Sequence, residues 1–252
     1  MLPVSFHKNL RGKLLAARRS VVRIALILVI TSGVVCTFYY NSRLSSVRRT
    51  HTDLRARVGL FDFGDPGKVQ IVRTRIPDEF SATGINKAIV WRFRLSLPAN
   101  YGFCCSTNIG LVKSNAPGGT GGTNTIFGGA NANASEVAVS ISFIEHKEKW
   151  LVSVSHTTGS GSQSLPKSFP IDSIDDLVVE PVVNYGVTRT FDGVDAICLL
   201  RIREKNLAVS NTGKAKEDLY RGCSVYCFSS EYQDAFFAWQ RGEISSMKEA
   251  GK

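Results

Sequence analysis

Histidine is scarce in this 252-residue chain and poorly placed for chemistry. There are four, and His7 and His51 lie in the first 60 residues, leaving only His146 and His156 for the rest. Both stand at strand ends of one predicted hairpin, where polar residues are expected anyway. No Gly-x-Ser-x-Gly elbow, His-Glu-x-x-His motif or calcium-loop pattern accompanies them, so no hydrolytic or metal site is marked. A phosphate loop is missing as well. The glycine-rich stretch 115–129 lies in an interval without lysine, between Lys113 and Lys147, and a strand follows it rather than a helix. Asp62-Phe63-Gly64 stands without the other kinase motifs and reads as chance. Asp172, Asp175, Asp176 and Glu180 lack EF-hand spacing and read as a solvated turn. No catalytic, cofactor-binding or metal-binding residue is therefore assigned, and the expectation is a protein that is not an enzyme.

An excess of basic charge is also missing where a nucleic-acid-binding domain would carry it. The formal charge is +10, but residues 1–60 hold eleven Lys and Arg against the single acid Asp53, while residues 61–252 hold twenty of each sign. The excess flanks one hydrophobic run, where anionic headgroups attract it. Nucleic acid is excluded as a partner on that ground. The partners expected are the lipid bilayer, through that run and its basic flanks, and a protein or glycan whose identity the sequence leaves open.

That run, Val21–Tyr40, contains one charge, Arg23, near one end. Twenty helical residues at 1.5 Å each span a hydrocarbon core of about 30 Å. Arg23 can snorkel at one interface, and Phe38, Tyr39 and Tyr40 form an aromatic belt at the other. The exit Val34-Val35-Cys36-Thr37-Phe38 lacks the small residues of a signal-peptidase site, so an uncleaved signal-anchor is expected. Basic residues stand on both sides and barely favour an inside N-terminus; the large domain that follows points to an extracytoplasmic C-terminal part. The organisation expected is a basic tail over 1–20, a transmembrane anchor over 21–40, a basic juxtamembrane stalk over 41–60, a β domain over 61–229 and a C-terminal helix and tail over 230–252.

The domain shows period-two patterning. Val69–Arg75 is a short candidate strand, and Ile89, Trp91, Phe93, Leu95 and Leu97 alternate with polar neighbours up to Pro98. Val137–Phe143 and Trp150–Ser155 alternate likewise around a charged connection at 145–149, which predicts a hairpin. Leu177–Val183, with Pro181 marking an edge, Ala196–Arg203 and Cys223–Phe228 complete the set. No long amphipathic helix lies between strands, which argues against a parallel α/β sheet. The fold class expected is mostly β, an antiparallel β-sandwich or jelly-roll-like domain after a single N-terminal transmembrane helix. A short C-terminal helix is predicted from a cap at Ser230, through Tyr232, Phe236, Phe237 and Trp239, to a stop at Gly242. Asn115–Gly129 and Thr157–Ser164 read as long mobile connections.

Cys36 lies in the anchor, and five cysteines remain. Adjacent Cys104 and Cys105 chelate one metal poorly, which leaves zinc the least favoured of three readings. One disulfide between the Cys104/Cys105 region and the Cys223/Cys227 region is the favoured reading, worth about 2–4 kcal/mol, with all-thiol as the alternative. Cys198, in an apolar strand, reads as a buried thiol.

The segments WRFRLSLP (Trp91–Pro98) and GVDAICLLRIRE (Gly193–Glu204) carry a resemblance. With the short basic N-terminus and one apolar helix, the chain resembles small single-pass membrane proteins of planctomycete bacteria over roughly half its length. The resemblance implies no activity and no site residue. It implies a bacterial source, in which the glycosylation sequon Asn133-Ala134-Ser135 has no role. The function expected is a membrane-tethered binding or structural module at the cell envelope. An envelope hydrolase with residues converging from separate strands, and a cytoplasm-facing regulatory membrane protein, are the alternatives.

Overall fold

The computed structural model describes residues 5–61, 65–76, 88–117, 119–146, 149–157, 159–165, 177–206 and 219–249. Asp62-Phe63-Gly64 and Asp172, Asp175 and Asp176 lie outside them. The chain divides into two compact units, Met1–His51 and Thr52–Lys252.

The first unit consists of helix α1, Ser5–Val58, whose last residues belong to the second unit. The stretch 41–58, expected as a helix or a stalk, is helical. Among the described residues no helix is long and apolar enough to cross a membrane. The side chains of the predicted anchor are described at Leu26 and from Leu28 onwards. There Leu26, Leu28, Val29, Ile30, Val34, Val35, Phe38, Tyr39 and Tyr40 are each half or more exposed.

The second unit is mostly β. Strands β1 (Val69–Thr74), β2 (Ala88–Leu97), β5 (Ser135–His146), β6 (Lys149–His156), β7 (Gly159–Ser164) and β9 (Thr188–Phe191) make one antiparallel sheet in the order β7-β6-β5-β2-β1-β9. Strands β3 (Gly102–Lys113), β4 (Gly119–Ala130), β8 (Leu177–Pro181), β10 (Ile197–Glu204) and β11 (Leu219–Ser229) make a second, in the order β4-β3-β11-β10-β8. Alternation decides which side chains turn inward. Trp91, Phe93, Leu95 and Leu97 of β2 meet Val139, Ile141 and Phe143 of β5, and share one buried cluster with Ile109 of β3, Leu199 and Ile202 of β10 and Val225 of β11. The two sheets thus bury one common core. Pro181 ends the edge strand β8, as its missing donor requires.

The C-terminal segment covers the other face of the second sheet. The Ser229 hydroxyl accepts from Glu231 N, one residue earlier than the predicted cap, and opens a 3₁₀ turn, Ser230–Tyr232. Helix α2, Gln233–Arg241, follows. Gly242 has φ 80°, and Gly242 N–H and Glu243 N–H donate to Trp239 O and Ala238 O, closing the helix as a Schellman cap. Phe236 is fully buried and stacks on Phe228 of β11 at 4.0 Å. A second apolar cluster of Cys104, Tyr226, Phe228, Phe236 and Met247 results.

Four expectations are corrected. The long connection at 115–129 is mostly strand β4, paired with β3 along its length, and Thr157–Ser164 is mostly strand β7. Both are edge strands. They pack on each other, with Asn124 over Gly161 and Gln163 over Gly122, where side chains at the glycines would block the approach. The charged connection at 145–149 is shorter than expected, because Glu145 pairs with Trp150 and His146 with Lys149. Glu180 sits in β8 rather than a solvated turn, and holds Arg203 at 2.9 Å and Arg201 at 3.5 Å.

Candidate functional site

At one end of the sheet pair, connections from four parts of the β unit surround an open cleft of about 670 Å³. Each wall has a local cause. Asp65 makes an Asx turn, its carboxylate accepting Gly67 N–H at 2.9 Å, which places Pro66 and Gly67 on the rim. Pro98–Tyr101 is a tight turn closed by Tyr101 N–H on Pro98 O at 3.3 Å, with Asn100 at φ 62°. That is the left-handed position of a type II turn, which Asn tolerates better than most residues. Asn100 N–H also donates to Asn131 O at 2.7 Å, tying the turn to the end of β4. Across the cleft, Asp192 and Asp195 bracket Gly193 and Val194 with two reciprocal bonds of 3.0 and 3.1 Å. Lys68 reaches Asp192 and Lys248 reaches Asp195, each at 3.3 Å. Ser229, Glu231 and Tyr232 complete the lining.

Asn100, Glu231 and Tyr232 bring the hydrogen-bonding groups of this lining, beside the apolar surfaces of Pro66, Pro98, Ala99 and Val194. Ser229 is occupied in capping the 3₁₀ turn. Tyr101 turns its ring into the core, where its hydroxyl has no hydrogen-bond partner among the described residues. Burial raises its pKa well above the ordinary value, so it remains a neutral phenol. The described lining holds no histidine and no cysteine. Such a surface, with one carboxylate at Glu231, suits a polar ligand held by a few directed bonds.

Among the described residues, none of those weighed from the sequence as nucleophile, base, thiol or metal ligand lines this cleft. His156 is buried in the core-facing row of β6, its ring edge-on to Phe103 at 5.2 Å, and burial lowers its pKa. The side chain of His146 lies outside the described residues. Among the described residues no group of three His, Cys, Asp or Glu is placed to hold a metal ion. The structure holds all six cysteines in the reduced state. Cys105, Cys223 and Cys227 face the core and Cys104 the α2 side, and burial pushes Cys104 up to about 11 and both Cys105 and Cys223 up to about 12. Cys198 is packed beside Tyr226 and Arg201, its pKa also raised by burial. Thiols so disfavoured as thiolates are poor nucleophiles.

Sequence reasoning missed the cleft residues. The available signal was the turn Pro98-Ala99-Asn100-Tyr101 directly after a clear strand, but nothing local shows that 66–67, 193–194 and 229–232 gather at the same end. No protein-family model matches the chain, and no curated protein or solved structure is significantly similar to it.

Proposed function

We propose that the chain is a membrane-tethered, non-enzymatic β-sandwich module that binds a partner at the cell envelope through the cleft at the end of its sheets. The observation that carries this reading is the cleft's composition: a built concavity of about 670 Å³ whose described lining offers directed hydrogen bonds but no nucleophile–base pair. The sandwich class, rather than a jelly roll, is supported by β5, β6 and β7 running as a meander within one sheet.

The tether is the run Val21–Tyr40. Its support is the twenty-residue apolar length in the sequence, basic flanks on both sides, and large apolar side chains exposed from Leu26 to Tyr40. An extracytoplasmic β unit is the orientation favoured by the slight basic excess ahead of the run, in the bacterial setting that the planctomycete resemblance implies.

The test has two arms. Carbonate extraction and protease digestion of intact spheroplasts read the tether and its orientation: the protein should stay with the membrane and lose its β unit to external protease. Separately, amide NMR of the β unit against a panel of soluble oligosaccharides and peptides should give shifts clustered at Asn100, Val194 and Tyr232. Ala99→Trp, which fills the cleft, should abolish them. Shifts confined to another face, or unchanged by the filled cleft, would sink the binding assignment.

A further inference from the structure

We propose that Cys105 and Cys227 form the one intrachain disulfide of the β unit. The argument is register. Cys227 of β11 stands directly opposite Cys105 of β3, and both side chains lie in the core between the sheets. Directly opposed residues of an antiparallel pair have Cα atoms about 4.5–5.5 Å apart and point their Cβ atoms to the same side. Disulfides span Cα separations of about 4.4–6.8 Å.

The other cysteines fail this condition one by one. Cys104 follows a different face of β3 and packs against Phe228 and Phe236. Cys223 is inward, but it stands opposite Ile109, four residues from Cys105 along the strand, roughly 13 Å away at the strand rise. Cys198 stands opposite Tyr226 and joins the α2-side cluster, with β11 between it and β3. Cys36 belongs to the first unit. The odd count of five thus resolves into one bridge and three thiols.

The bond requires an external oxidant, and a low-molecular-weight disulfide such as glutathione disulfide supplies it. One cysteine thiolate attacks a glutathione sulfur, releasing one glutathione thiolate and leaving a mixed disulfide. The second cysteine thiolate attacks the mixed disulfide at the protein sulfur and releases the second glutathione. Two protein thiols lose two electrons and two protons; one glutathione disulfide is reduced to two thiols. Both cysteines are enclosed by the two sheets, so exchange occurs while the chain folds and not once the core has closed. The bond closes a loop from 105 to 227 and therefore restricts the unfolded chain strongly.

The full-length chain in detergent, reduced and denatured, is refolded in a mixture of glutathione and glutathione disulfide, then alkylated under denaturing conditions and digested. The expected product has lost two hydrogens, carries a peptide pair linking Cys105 to Cys227, and is alkylated at Cys36, Cys104, Cys198 and Cys223. Its urea midpoint should exceed that of the same protein treated with reductant, and C223S should bridge as the wild type does. Six alkylated thiols, a stable glutathione adduct at Cys105 or Cys227, or a dominant bridge through Cys104, Cys198 or Cys223 would each overturn the assignment. The same mapping on protein taken directly from cells bears on the envelope reading alone. Material isolated reduced that still bridges on refolding supports the pairing and removes the extracytoplasmic placement.

Discussion

Asn100 holds a backbone conformation that glycine adopts freely and a β-branched residue resists, at φ 62°. Asn100→Gly should therefore leave the urea midpoint within a few tenths of a kcal/mol of wild type, while Asn100→Val should cost about 1–3 kcal/mol from strain alone. The order of the two variants in urea unfolding is the measurement, and Val matching Gly would refute the left-handed turn. His156 yields a pH dependence of definite sign. Burial lowers its pKa in the folded unit. Between that lowered value and about 6.5 the unfolded chain binds the extra proton. Its contribution is whole above about pH 6.5 and is lost progressively as pH falls from there through the lowered folded value. Melting temperatures across pH 8 to 5 should fall more steeply for wild type than for His156→Gln. Reduced Cys105 and Cys223 act at the other end, because burial raises both to about 12 against an ordinary value of 9.0. The stability they contribute is whole below about pH 9 and lost as pH rises toward 12, so the reduced unit should unfold in alkali.

Helix α2 depends on one side chain more than on its length of nine residues. Phe236 is fully buried between Phe228 and Tyr226, at ring separations of 4.0 and 5.9 Å. Phe236→Ala should cost about 3–5 kcal/mol and free the segment after Ser229, read as early amide exchange there or as proteolysis ahead of the sheets. Strand β11 has a comparable weak point at Gly222, where an added methyl would collide with the carbonyl of Ile202 on β10. Gly222→Ala should thus destabilise by more than the roughly 1 kcal/mol spread of strand propensity, whereas Ala is ordinarily harmless at an exposed edge. These elements differ in how much of them the sequence displayed. Strand β2 was plain, because Trp91, Phe93, Leu95 and Leu97 face the core while Arg92 and Arg94 do not. Strand β3 was hidden for the opposite reason: Gly102–Ile109 is buried without interruption, core on one side and the α2 cluster on the other, so no alternation survives. Strands β4 and β7 were hidden by glycine, serine and threonine, which carry little hydrophobic signal, and they read as loops until their pairing is known. The cleft lay further out of reach. Its residues come from segments as distant as Pro66 and Tyr232, and only the sheet order gathers them.

At the scale of the molecule, charge and hydrophobicity are divided between the two units. The β unit from 61 onwards is balanced at twenty charges of each sign, and the basic excess sits around the apolar part of α1. Exposed Leu28, Val29 and Ile30 on one stretch of helix, and Val34, Val35 and Phe38 on the next turns, leave no polar face that would suit water on one side. A charge placed in the middle of the run tests the tether without touching the β core. Val29→Arg adds about 2.5–3.5 kcal/mol to the cost of insertion at a helix centre. It should shift the protein from the carbonate-resistant membrane fraction to the soluble or aggregated one. The compact β unit begins at Thr52, so its unfolding midpoint in detergent should stay at the wild-type value. Val58→Arg, beyond the run and half exposed, serves as the control that should leave membrane retention intact. Retention of Val29→Arg in the membrane at the wild-type level would remove the tether from this reading, while the cleft and its binding test would stand unchanged.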